Sequence, residues 1–178
     1  MTGSTLTLDR AGGVFGRGLV TLFMAWLGIG ALLHPDQGNL FSAINLGIHE
    51  LGHVVLSPLG LFLHVIGGTL FQLAAPIAAV VMFLRQGDAH AATIGGAWFS
   101  LALYEAATYV GDARARALPL VSLGSGEPIH DWHYLLGTVG WLEADGFLAG
   151  LMRVIAFLCM WGSTGLGLYV LGLRLSRG

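Results

Sequence analysis

Residues 40–56 read Leu-Phe-Ser-Ala-Ile-Asn-Leu-Gly-Ile-His-Glu-Leu-Gly-His-Val-Val-Leu, a largely apolar run broken late by His49, Glu50 and His53. The run predicts a buried helix, and a four-residue spacing puts both histidines on one face of it. Two imidazoles so placed can share a metal ion, and Glu50 beside them can take a proton from a water the ion activates. With 7 histidines in 178 residues, composition alone produces His-Glu-x-x-His about 0.006 times per chain, so chance does not account for it. Ionisable groups at the centre of a membrane helix cost roughly 2.5 kcal/mol or more each, so these three need partners. A metal in a polar cavity supplies them; a metal-free His–Glu–His hydrogen-bond cluster is the competing reading.

Working outward, 55% of the chain is hydrophobic and only 10% is charged, against about 25% charged in soluble domains. That balance reads as an integral membrane protein in contact with the lipid bilayer. Net charge is −2 and the eight basic residues are all arginine, which excludes a basic nucleic-acid surface. The lone Cys159 excludes a disulfide framework and a thiolate metal cluster. Apolar segments lie at about 18–33, 40–56, 65–84, 91–110 and 154–173, separated by Pro-, Gly- and Asp-containing breaks. The first lacks a small-residue cleavage site and reads as a retained span. The expected fold is all-α: one polytopic membrane domain over residues 1–178, a bundle of about five transmembrane helices. Residues 1–13 read as a tail and residues 112–146 as one long polar or interfacial loop. The many glycines suit close helix–helix approach. If every segment crosses, the His-Glu-x-x-His motif, Asp112 and the polar loop share a face with the N-terminus. Arg10, Arg17, Arg114, Arg116 and Arg153 then lean that face toward the cytoplasm, against Arg85, Arg174 and Arg177 opposite.

A catalytic zinc takes three protein ligands and keeps a position for water, so His49 and His53 need a third partner. Asp112, closing the fourth segment, is the first candidate, and Glu105 lies seven residues before it on the same helical face. Asp131 is the alternative, within His130-Asp131-Trp132-His133, where His130 and His133 can orient a ligand. Trp132 and Tyr134 also suit plain anchoring at the headgroup level. Gln72 follows the pair Gly67-Gly68, where a backbone or substrate strand can approach closely, and its amide can donate to a substrate carbonyl. His64 and His90, at segment edges, read as interfacial.

His49-Glu50-Leu51-Gly52-His53 in a membrane helix resembles the site-2-protease-like intramembrane zinc metallopeptidases, especially their small bacterial members. The resemblance implies a multi-pass protein of the bacterial cytoplasmic (inner) membrane, with one zinc ion per chain. It implies His49 and His53 as ligands, Glu50 as general base, an aspartate from a later helix as third ligand, and a membrane-embedded or membrane-proximal protein substrate. The family's Asn-Pro-containing stretch ending in Leu-Asp-Gly is absent; Val110-Gly111-Asp112-Ala113 is a loose substitute. That departure and the short chain keep a second expectation open, a non-catalytic membrane subunit that uses the same scaffold to stabilise other membrane subunits.

Overall fold

Prolines and glycines set the element boundaries of the computed structural model, which describes residues 3–120 and 129–176. Helix α1 (Gly3–Leu33) stops just before Pro35, and α2 (Ser42–Leu56) runs into a 3-10 turn at Ser57–Leu59 that contains Pro58. Gly60, at φ +101°, then turns the chain into α3 (Leu61–Arg85). Gly87, at φ +74°, closes α3: its N–H reaches the Leu84 carbonyl at 3.0 Å, and the Asp88 N–H reaches that of Phe83 at 2.9 Å. The Asp88 carboxylate caps α4 (Ala89–Gly111) by accepting the Ala91 N–H at 3.1 Å. A short helix α5 (Asp131–Thr138) and a long α6 (Asp145–Ser176) complete the chain. The all-α expectation holds, and each apolar segment is a helix. The first helix starts at Gly3, inside the stretch read as a tail, because no proline interrupts residues 3–33. The polar stretch 112–146 carries α5 and the first residues of α6; its residues 121–128 lie outside the described ones.

Among the described residues three stretches are long and apolar enough to cross a membrane: Gly13–Leu33, Leu61–Arg85 and Leu142–Ser176. Their outward faces carry large apolar side chains such as Trp26, Leu158 and Leu166, as lipid-facing surfaces do. Helix α4 is long but less apolar, and it sits at the centre, packed by α1, α3 and α6. Leu101, Ala102, Ala107 and Val110 are fully buried there, so α4 needs no lipid-facing apolar ring. Helix α2, at 15 residues, is about 22 Å long, short of the roughly 30 Å hydrocarbon core.

Ion pairs and hydrogen bonds show which ends lie together. Arg17 of α1 grips the Asp88 carboxylate with two bonds of 2.7 and 2.8 Å, and Arg174 of α6 lies 3.6 Å from it. At the other end, Arg114 Nε donates to Asp145 Oδ1 at 2.9 Å, joining the end of α4 to the start of α6. Helices α1 and α4 therefore run parallel, and the Arg17 end of α1 lies opposite the end that holds the His-Glu-x-x-His motif. This overturns the simple alternating trace. The cause lies after α1, where the chain turns back into the bundle rather than recrossing it. Glu105 accepts hydrogen bonds from Asn39 (2.8 Å), Ser42 (2.7 Å) and Asn45 (2.6 Å), and Asn45 accepts from Trp98 Nε1 at 2.8 Å. Helix α2 thus begins beside the middle of α4 and runs back outward.

The Arg17 bond is the main reason the Asp88 carboxyl is held below its usual range. A carboxyl lowered by folding contributes its stability above the unfolded value of about 4 and loses it as pH falls through the folded value. The melting temperature of detergent-solubilised Asp88→Asn should therefore lie below wild type at pH 7, and the gap should shrink as pH drops below about 4. A gap that widens in acid contradicts this account of the Arg17–Asp88–Arg174 cluster.

Candidate metal centre

The site forms where α2 crosses α3. Contact is backbone to backbone: a Cβ on Gly67 would stand 2.5 Å from the Gly52 carbonyl oxygen, and one on Gly52 would stand 2.6 Å from the Gly67 carbonyl carbon. A Cβ on Gly68 would meet His49 Nε2 at 2.5 Å and His53 Nε2 at 2.6 Å. The Gly67-Gly68 pair therefore admits the α2 backbone and the two imidazoles. No larger residue fits at Gly68 without displacing them.

Helix α5 brings Asp131 onto the same spot. Its Oδ2 lies 3.0 Å from His49 Nε2 and 3.2 Å from His53 Nε2. The side chains of His49, His53 and Asp131 each offer one ligand atom, and these atoms lie within 4.8 Å of one another. His49 and Asp131 are 7% and 5% exposed. Among the described residues no fourth His, Cys, Asp or Glu joins the group. His64, the nearest extra imidazole, faces away: its Nδ1–H donates to the His53 carbonyl at 2.9 Å.

The outer nitrogens define the tautomers. Gln72 donates its amide N–H to the Ala102 carbonyl at 3.3 Å, which turns Gln72 Oε1 toward His49 Nδ1 at 3.1 Å. His53 Nδ1 lies 2.8 Å from the His64 carbonyl. Both Nδ1 atoms thus carry the proton and donate it, leaving both Nε2 lone pairs aimed at the Asp131 carboxylate. Three acceptors facing one another at this range repel unless a positive charge sits among them. One added proton relieves one contact; a divalent cation relieves both. Zinc bonds of about 2.0–2.1 Å in tetrahedral geometry hold ligand atoms about 3.4 Å apart, close to the two His–Asp separations of 3.0 and 3.2 Å. The donor set fits that ion.

Glu50, 8% exposed, follows His49 on α2 and lies within electrostatic reach of His53 and Tyr109. Other residues singled out from sequence fall elsewhere. Asp112 is not in the ligand group: its carboxylate accepts the Ala117 and Leu118 N–H groups at 2.9 and 3.0 Å, and His130 Nε2 at 3.2 Å. Burial raises the Asp112 carboxyl, but these bonds outweigh that and hold it below its usual range. Glu105 binds the α1–α2 connection, away from the imidazoles. His133 Nδ1–H donates to the Ala113 carbonyl at 2.8 Å. Gln72 serves His49 and the Ala102 carbonyl. His90, at the start of α4, is buried beside Thr21 at 2.9 Å.

Three contributors are not among the site residues the sequence points to. Tyr109 Oη accepts the Asp131 N–H at 2.9 Å, Thr69 accepts Trp132 Nε1–H at 3.2 Å, and the His64 carbonyl holds His53. Tyr109 carries the one usable signal, a hydroxyl on α4 one turn beyond Glu105 and facing the same way. Comparison with known proteins finds no matching family model, no matching curated protein and no matching solved structure.

Proposed function

We propose that the chain is a multi-pass membrane zinc metallopeptidase that hydrolyses peptide bonds in or beside the bilayer. The observation that carries this reading is a cluster of three candidate ligands, His49, His53 and Asp131, with no fourth His, Cys, Asp or Glu in it among the described residues, and Glu50 follows His49 on the same helix. Structural zinc sites are closed by four protein ligands, whereas catalytic ones keep a position for water. When bound, zinc supplies a Lewis acid that polarises a scissile carbonyl and acidifies water beside it. The chain's own residues do the rest. His49 and His53 would hold the ion through Nε2, in tautomers set by Gln72 and the His64 carbonyl, and Asp131 would hold it through its carboxylate. Glu50 accepts the proton of the attacking water and returns it to the leaving amine. Glu50→Gln tests the assignment, since it should keep zinc and lose cleavage.

In this reading α1, α3, α4 and α6 cross the bilayer, and α2 is a shorter inserted helix that opens at the same end as Asp112 and α5. Arg17, Arg85 and Arg174 lie at the opposite end, with Arg10 and Arg177 beyond two of them in sequence; Arg114, Arg116 and Arg153 lie at the site end. The arginine balance then reverses the orientation expected from simple alternation and turns the site away from the cytoplasm. A cysteine at the exposed Glu143 should react with a membrane-impermeant maleimide on intact cells, and one at Gln86 only after permeabilisation. The opposite pattern refutes this orientation.

A further inference from the structure

Two of the three proposed ligands sit on α2, which is clamped against α3. The third, Asp131, opens a helix of eight residues at the end of a long connection. A helix that short does not hold itself in place in water, so something outside it must fix the position of Asp131. The geometry points to Asp112 and His130 as a positioning pair that fixes the third ligand against the two histidines, an inference that rests on the metal reading above.

His130 is the residue before α5, and its Nδ1 accepts the His133 N–H at 3.2 Å, capping the helix. An acceptor at Nδ1 leaves the ring proton on Nε2, and that proton points to Asp112 Oδ2 at 3.2 Å. Asp112 closes α4 and is itself held by the Ala117 and Leu118 N–H groups. The His130 ring lies against Tyr109 with centroids 4.4 Å apart, and the Tyr109 hydroxyl receives the N–H of Asp131 itself. A chain of contacts therefore runs from the end of α4 through Asp112 and His130 into the first residue of α5. Asparagine or serine could cap α5 from position 130. Only a ring with an acceptor on one nitrogen and a donor on the other both caps the helix and reaches Asp112.

The test is zinc affinity by chelator competition, read beside the melting temperature of the metal-free protein and the visible spectrum of the cobalt-substituted form. Asp112→Ala and His130→Ala should weaken zinc about 10–100-fold, the range for groups that orient a ligand, and should alter the cobalt bands. His130→Asn, which keeps the cap but drops the link to Asp112, should resemble Asp112→Ala. Asp112→Asn has one acceptor oxygen for the three N–H groups that the two carboxylate oxygens take, and should fall between Asp112→Ala and wild type. Wild-type affinity and spectrum in Asp112→Ala and His130→Ala overturn the inference, even where the metal-free protein melts lower, because that result describes a purely architectural role. If the wild type binds no zinc, the metal reading fails first and the inference falls with it.

Discussion

Under the zinc reading proposed above, Asp131→Ala should abolish zinc binding, weakening affinity by more than the roughly 10–100-fold typical of groups that only orient a ligand. The carboxylate is the only group of α5 in the ligand set, and its Oδ2 meets both Nε2 atoms at 3.0 and 3.2 Å. Without it two imidazoles remain, too few for the three-ligand pattern of catalytic zinc. Alanine also removes the negative charge that offsets the ion in a buried site, where charge is poorly screened. The measurement is zinc content and chelator competition on detergent-purified protein, with His53→Ala as a reference for loss of a ligand. Asp131→Ala should match His53→Ala, while Asp112→Ala should fall between it and wild type. If Asp131→Ala binds as tightly as wild type, the third ligand lies elsewhere.

The second large effect is on turnover. Glu50→Gln is close to isosteric and leaves His49, His53 and Asp131 in place, so zinc should remain near wild-type level. Glutamine cannot accept the proton of the attacking water, and loss of a positioned general base typically costs about 10²–10⁴-fold in rate. A quenched fluorescent transmembrane peptide in mixed micelles serves as the probe. Zinc retained with cleavage lost supports the peptidase reading. Cleavage unchanged in Glu50→Gln removes Glu50 from the mechanism. Zinc-loaded wild type that cleaves nothing favours the non-catalytic subunit.

Much of the architecture was legible because apolar runs bounded by proline and glycine dictate helices whatever their partners. The ends of those helices relative to one another were not. Alternation assumes that every apolar run crosses the bilayer, and α2 does not reach that length. Its signal is visible in retrospect: Asn39, Ser42 and Asn45 recur at three-residue steps, and Glu105 is the acidic group that collects all three. Periodicity shows that such a polar stripe exists but not which helix it meets. The site follows the same division. His49, Glu50 and His53 are local, fixed by the pitch of one helix. Asp131 is 82 positions from His49, and its approach depends on how α5 docks. On the sequence Asp112 comes first as third ligand and Asp131 second, because Asp112 closes an apolar helix while Asp131 lies in a polar stretch with no fixed position. The amides of Ala117 and Leu118 separate them by claiming Asp112.

Zinc K-edge X-ray absorption on the zinc-loaded protein tests the central claim most directly. The account predicts one ion per chain bound by two imidazoles and two oxygen atoms at about 2.0–2.2 Å, one oxygen from Asp131 and one from solvent. A sphere closed by four protein groups, or a third imidazole in place of the carboxylate, would contradict it.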